Sequence, residues 1–380
     1  MTNQNIYLDL NVLQTVPASN LNRDDTGAPK TALYGGVTRS RVSSQSWKRA
    51  MRTGFHADGV QTGSLTKDVL RLLVDQMTAL NLSQEEAEEK GEAFFKIIGV
   101  DLDKTKKNKA LMFISPGQIE KLAQFVAGND IVPYAVEQKK LSAPDKKIKA
   151  SLKKEITSIF GEDHSLDLAL FGRMVAQNPE LNVDASAQVA HALSTHEIVP
   201  EFDYFTAVDD EQGEDQSGSA MIGTIEFNSS TLYRYANINI SELVHNLGDT
   251  DLTIDGAVEF IKQFLLSMPT GKQNTFANRT LPNYVMVSVR QDTPVNLVSA
   301  FETPVKSRDG YVAESINRLD AEYVSAQQFV DRPLLTVVLG ADNFDWTNQT
   351  EVSSAANLND LLASVKDSLA KVVQDEDLNN

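Results

Sequence analysis

Cysteine is absent from the 380 residues. That excludes a disulfide scaffold, a zinc–thiolate site and a thiol nucleophile. No apolar run is long enough to cross a bilayer. The start, MTNQNIYLDL, lacks the basic lead and apolar centre of a secretory signal. A cytoplasmic protein without a membrane partner is therefore the expectation. A glycine loop for phosphate with its lysine is missing, as are the dinucleotide fingerprint and the strand–turn–helix serine elbow. Gly271-Lys272 has no earlier glycine at the required spacing. His191 and His196 are five apart and cannot share a helix face, so no metal site is expected there. His191 reads instead as a satisfied structural partner. No catalytic set and no cofactor follow from any of these patterns. Positive charge is also in deficit, with 35 Lys and Arg against 52 Asp and Glu, a formal net charge of −17. Loose, non-specific attraction to nucleic acid is thereby disfavoured. A local groove is not, because binding depends on the charges nearest the phosphates.

One stretch runs against that balance. Val37 to Ala57, VTRSRVSSQSWKRAMRTGFHA, holds Arg39, Arg41, Lys48, Arg49 and Arg52 and no acid. Ser43 or Ser44 can cap a helix beginning near Gln45. Trp47, Ala50, Met51 and Phe55 fall at helical spacing and form its expected buried stripe. Gln45, Lys48, Arg49 and Arg52 take the remaining faces. Serine hydroxyls and free N–H groups at the start, with cations one and two turns on, suit a phosphate backbone. The same pattern also describes an ordinary solvated basic face.

The rest of the chain supplies the setting, with a 41% apolar content that supports a sizeable core. Ile6, Leu8, Leu10 and Val12 alternate as a half-buried strand. From about Leu65 to Phe171 the character is helical and polar. Leu65, Val69, Leu72 and Leu73 mark one helix, and Ser83 with Glu86 reads as a capping box for the next. Ser115, Pro116 and Gln118 open another. Lysine-rich segments lie at Lys104 to Lys109 and at Lys139 to Lys154. Glu201 to Phe227 reads as a hairpin whose tip, DDEQGEDQSGS, is acidic. STLYRYANINI is a long strand with Tyr233 and Tyr235 on one face and Leu232, Ala236 and Ile238 on the other. A helix through Val258, Ile261, Leu265 and Met268, a strand at Tyr284 to Val289 and a last helix from Leu358 to Leu369 follow. The succession suits a mixed α+β fold with long excursions. Asp24-Asp25 is the one acid pair to weigh. It is either a divalent-ion site for phosphodiester cleavage or, as the favoured reading, a turn closed by an Asx bond.

Several ordered motifs carry a resemblance. LNRDDTGAPKTALYGGVTRSRVSSQSWKRAMR at 21–52 resembles the N-terminal region of the CasC family, the backbone subunit of the type I-E CRISPR surveillance complex, Cascade. LALFGRM at 168–174, AHALSTHEI at 190–198, DYFTAVDD at 203–210, GTIEFNSSTLYRYANINI at 223–240 and the PTGKQ run at 269–273 match in the same order. The resemblance implies an RRM-like (ferredoxin-like) palm, a helical fingers insertion and a β-hairpin thumb. It would divide the chain into palm at 1–58, fingers at 59–180, palm at 181–200, thumb at 201–228 and palm at 229–380. It further implies head-to-tail copies along one CRISPR RNA, with the thumb kinking the guide and leaving the intervening segments to pair with target DNA. Other Cascade subunits would be partners.

In that frame Ser43, Gln45, Lys48, Arg49 and Arg52 match the backbone-binding helix. Arg23, Lys30 and Lys272 are further RNA-binding cations on nearby loops. Met174 matches an apolar wedge, although without the family a core methionine is the default. Tyr204 and Phe205 match the thumb's aromatic pair, and the family often has tryptophan where this chain has Tyr204. Adjacent strand residues face opposite ways, so one ring meets a base and the other packs at home. The acidic tip, Asp209 to Asp215, cannot lie on phosphates, and Lys139 to Lys154 of the next copy is its expected contact. Two other readings remain at this point: a metal-dependent ribonuclease using Asp24 or Asp25, and a dimeric nucleic-acid-binding regulator.

Overall fold

The structure is a computed structural model that describes residues 5–207, 221–340, 346 and 348–377. The acidic tip Asp209 to Asp215 lies outside the described residues. The chain opens with β1 (Tyr7–Ser19), the hairpin β2 (Thr31–Tyr34) and β3 (Val37–Val42), and helix α1 (Ser44–Ala57). There follow β4 (Ser64–Thr66), α2 (Val69–Ala79), α3 (Gln84–Ile98), β5 (Met112–Ile114), α4 (Pro116–Gly128), α5 (Ala143–Phe160) and α6 (Leu166–Phe171). Short strands β6 (Ala187–Val189) and β7 (Ala192–Ser194) lead into β8 (Glu201–Ala207) and β9 (Met221–Asn239). Helices α7 (Ile240–Leu247), α8 (Thr250–Leu266) and α9 (Gln273–Phe276) precede β10 (Tyr284–Arg290). The chain then runs through α10 (Val312–Ala326), β11 (Leu335–Gly340), β12 (Val352–Ser354) and α11 (Leu358–Asp377). The architecture is mixed α+β, as expected from the order of elements. It divides into two compact units, one of Met1–Gly54, Gln188–Asn239 and Ala257–Asn380, the other of Phe55–Ala187 and Ile240–Gly256.

The first unit is built on a sheet of ten strands in the order β12-β11-β10-β1-β9-β7-β3-β2, with β6 and β8 also paired to β9. Strand β1 lies between β9 and β10, antiparallel to both. It is buried on both faces rather than half-buried. Leu13, Tyr233, Tyr235 and Tyr284 pack with Leu297, Phe301 and residues of α10 on one side. Val16, Leu232, Val42 and Trp47 pack together in a separate cluster. Polar residues of β1 are consequently sealed and bonded. The Tyr235 hydroxyl donates to Asp9 Oδ1 at 2.7 Å and the Val295 N–H to Asp9 Oδ2 at 2.9 Å. Burial pushes the Asp9 carboxyl up to about 7. Strand β9 is one unbroken element of 19 residues, where two separate strands are read from the sequence. Its later part pairs with β1 from Asn228 to Asn239, and its first part pairs with β8 as an arm.

The second unit packs α2, α3, α4 and α5 around Leu73, Met77, Phe94, Phe95, Leu122, Ile156 and Phe160. Leu65, expected in a helix, is instead in β4 and paired with Phe113 of β5. Helix α2 starts only after Asp68, because the Thr66 hydroxyl accepts from the Asp68 N–H and turns the chain. The starts of α3 and α4 are as read, whereas α8 begins at Thr250, ahead of the stretch read as helix. Ser83 accepts from the Glu86 N–H at 3.2 Å. Pro116 opens α4, with Gln118 Oε1 accepting from the Ser115 N–H. Among the described residues no helix is long and apolar enough to cross a membrane.

Candidate nucleic-acid interface

Helix α1 is seated by its apolar stripe. Trp47, Met51 and Phe55 are buried, and Ala50 is half-buried at the edge. Trp47 lies against the guanidinium of Arg234, 3.8 Å from its ring centroid, and the same guanidinium covers the Phe264 ring at 4.5 Å. Arg234 is itself fully buried. It donates to Gln14 Oε1 at 2.5 Å and to the Phe264 carbonyl. Burial pulls it down to about 9, where it remains charged at neutral pH. A cation stacked between rings and bonded to carbonyl oxygens holds the helix at a fixed rotation. That rotation turns Gln45 and Arg49 outward and leaves Lys48 and Arg52 half-buried. Lys48 and Arg52 hold partners within the fold. Desolvation pulls the Lys48 ammonium below its ordinary value.

The first turn is closed by side chains. Ser43 Oγ accepts from the Ser46 N–H at 3.3 Å, and the Ser43 N–H donates to Asn22 Oδ1 at 2.9 Å. His191 Nδ1 accepts from the Ser44 N–H at 2.9 Å, so His191 is the structural partner expected of it. The sequence pattern did not name Ser44 as its partner because the two residues are far apart in the chain. Not every cation of the basic stretch is available. Arg39 is buried and donates to four carbonyls, those of Tyr34, Ser194, Phe301 and Glu302. Arg41 donates through Nε to the Thr31 carbonyl and is half-buried.

Two loops bring further cations. Arg23 is exposed at the start of the loop to Lys30, which is half-buried. Asp24 closes that loop: its Oδ1 accepts from the Thr26 N–H, the Thr26 hydroxyl and the Ala28 N–H at 2.9, 2.7 and 3.1 Å. The Thr26 hydroxyl bond holds the Asp24 carboxyl below the usual range. Asp24 is thus the Asx turn favoured from the sequence. Among the described residues no three His, Asp or Glu side chains are grouped to hold a metal. Lys272 is carried on a turn that packs against the same loop. A Cβ on Gly271 would come 2.2 Å from the Leu21 carbonyl oxygen, so only glycine permits this approach. An open depression of ≈ 500 Å³ lies between Arg23–Gly27 and Gly271.

The arm separates the aromatic pair. Phe205 faces Gly223 across the ladder, and its ring lies where a Gly223 Cβ would be. Tyr204, on the other face with Phe202, is 64% exposed. One ring packs at home and the other is presented, as alternation requires. Met174, in the second unit, is 81% exposed; the default of a core methionine fails. Its neighbours explain why. Arg173 is buried, donating to Leu181 O, Gln118 Oε1 and Phe160 O. The Val175 N–H donates to Asn182 Oδ1. With both flanking residues tied inward, Met174 is left to project.

The sequence model of a family described as CT1975-like protein matches residues 8–364. The chain belongs to the CT1975-like family. Two solved structures are also similar to this CT1975-like chain. One, "CRISPR RNA-guided surveillance complex, pre-nicking", is 28% identical, covers 96% of this chain and 99% of that chain, and has a TM-score of 0.78. The other, "CRISPR RNA-guided surveillance complex", is 25% identical over 94% of this chain and 99% of that chain, with a TM-score of 0.70. No curated protein matches the sequence. The resemblance of the CT1975-like chain to a CRISPR backbone subunit is borne out by the family and both structures.

Proposed function

We propose that the chain is a non-catalytic RNA-binding backbone subunit of a type I-E Cascade complex, working in the cytoplasm. In this reading the ten-stranded unit contains an RRM-like palm, the helical unit is the fingers, and the β8–β9 arm is the thumb. Copies assemble head-to-tail on one CRISPR RNA, and the guide segments between thumbs pair with target DNA. Sequence selection is then delegated to base pairing, while the protein grips phosphates without reading bases.

The observation that carries the proposal is similarity over nearly the full length of both chains to subunits of RNA-guided surveillance complexes. The local chemistry agrees with it. Gln45 and Arg49 face outward from α1, Arg23, Lys30 and Lys272 stand on neighbouring loops, and Met174 and Tyr204 are presented rather than packed. A single-stranded base stacked on Tyr204 gains about 1–3 kcal/mol, whatever its identity. Asp24 supports a structural rather than a hydrolytic part for its loop, since Oδ1 already accepts three bonds.

Expression with a CRISPR array tests the proposal. The expected result is co-purification with RNA of uniform length, in a stoichiometry that grows with guide length because heterologous contacts do not close. A closed dimer carrying mixed RNA would refute it. Cleavage of bound RNA in magnesium, lost on Asp24→Ala or Asp25→Ala, would refute the non-catalytic part alone.

A further inference from the structure

Beside the start of α1 there is a small recess that the phosphate grip does not use. It is lined in part by Ser19, Asn22, Ser40, Asn228 and Ser230, with Lys30 and Arg41. Alternation puts Asn228 and Ser230 on the face of β9 that carries Leu232, and Ser40 on the face of β3 that carries Val42. Leu232 and Val42 belong to the cluster under Trp47. The recess therefore continues the buried surface beneath α1. The same strands carry a register shift between Val16 and Ser19, opposite Ser230 and Asn228. A bulge of this kind opens the ladder and re-aims side chains.

Four of the lining side chains are more than nine-tenths buried: Ser19, Ser40, Asn228 and Ser230. Among the described residues none of these side chains is hydrogen-bonded to another side chain, and none of their polar atoms is sealed without a partner. Polar atoms that open into a recess without a protein partner are completed by water or by a ligand. The recess has ≈ 10 Å³ of free volume, enough for the centre of about one water-sized group. All four side chains both donate and accept. A phosphate oxygen only accepts and brings a charge, so it would use half of that capacity. A hydroxyl uses both halves and has the size of the recess.

We infer that this recess receives a ribose 2′-hydroxyl and is where the protein distinguishes RNA from DNA. The inference rests on the reading of the α1 region as an RNA contact. It adds to it a chemical discrimination that phosphate binding cannot supply, because phosphates are common to both polymers. Lys30 in the lining holds a phosphate flanking that ribose. The Asn22 bond to the Ser43 N–H links the recess to the first turn of α1. A deoxyribose in the same position leaves the four side chains unsatisfied.

Fluorescence anisotropy with the full chain, freed of nucleic acid, tests this. The probes are a labelled single-stranded RNA, the DNA of the same sequence, and RNAs with one 2′-deoxy position each. The unaltered protein is expected to bind RNA more tightly than DNA, and one deoxy position per contact interval to cost about three- to tenfold. Asn228→Ala and Ser230→Ala are expected to weaken RNA binding by a similar factor and leave DNA binding unchanged. Equal losses on RNA and DNA would make the recess a phosphate site and overturn the inference. No loss on either, or no preference for RNA in the unaltered protein, would leave a structural water there and overturn it too. The deoxy series alters no residue, so it stands even where a variant folds poorly. Arg49→Ala separates this from the underlying reading. If Arg49→Ala leaves the binding of both polymers unchanged, the α1 reading fails, whatever the recess does.

Discussion

Salt dependence offers the sharpest test of the grip. Affinity for single-stranded nucleic acid falls with salt at a slope of about −0.7 in log–log form per neutralised phosphate. Arg23, Lys30, Arg49 and Lys272 stand around α1 with no salt bridge among the described residues. One phosphate on each gives a slope of about −3, a loss of roughly fifty-fold between 50 and 200 mM salt. Arg49→Ala is expected to lower the slope by about 0.7, with Tm unchanged because the side chain is exposed. Lys48→Ala and Arg52→Ala are expected to lower it by less than that each. Both side chains are half-buried and already hold partners within the fold, so a phosphate competes for them. Both substitutions should also lower Tm. The assay is anisotropy of a labelled RNA at four salt concentrations. A parent slope shallower than −1, or an Arg49→Ala slope equal to the parent's, would refute the reasoning.

Three further outcomes are expected. Tyr204→Ala should weaken RNA binding by about 1–3 kcal/mol at constant Tm, whereas Phe205→Ala, which uncovers Gly223, should speed amide exchange in β8; the reverse assignment would show that the wrong ring meets the base. Met174→Ala should leave stability within about 0.5 kcal/mol of the parent's but reduce the fluorescence of 2-aminopurine placed at the kinked position of the RNA, and a clear loss of stability would return Met174 to the core. Asp9 is raised to about 7 by burial, so its contribution is full below its ordinary value of 3.8 and is lost as pH rises through 7. Asp9→Asn should remove that fall, which amounts to about 4 kcal/mol, and a melting curve equally pH-dependent in both proteins would contradict it.

The α1 helix was legible because its cap, stripe and cations are local. Ser43 lies at the expected position, and Trp47, Met51 and Phe55 are buried as their spacing requires. Arg39 was not legible as a buried group, because three of its four carbonyl partners come from two distant segments of chain. Arg234 could have been suspected. It occupies a register position between Leu232 and Ala236, on the face those residues keep apolar. Met174 was misjudged on composition alone, since nothing local announces that Arg173 turns inward. The recess beside α1 required the pairing of β9 with β1 and the shift near Val16, which no window of sequence contains. The half-buried reading of β1 failed for a similar reason: alternation reports one covered face, and the second is supplied by segments far along the chain.

One unbroken strand joins the sheet to the arm. Its partner changes from β1 to β8 between Asn228 and Phe227, next to the register shift, so the direction in which Tyr204 points is set where the two ladders meet. In the proposed array of identical copies, the interval between successive rings would be a constant of the fold, a ruler marking the guide at fixed steps whatever its letters.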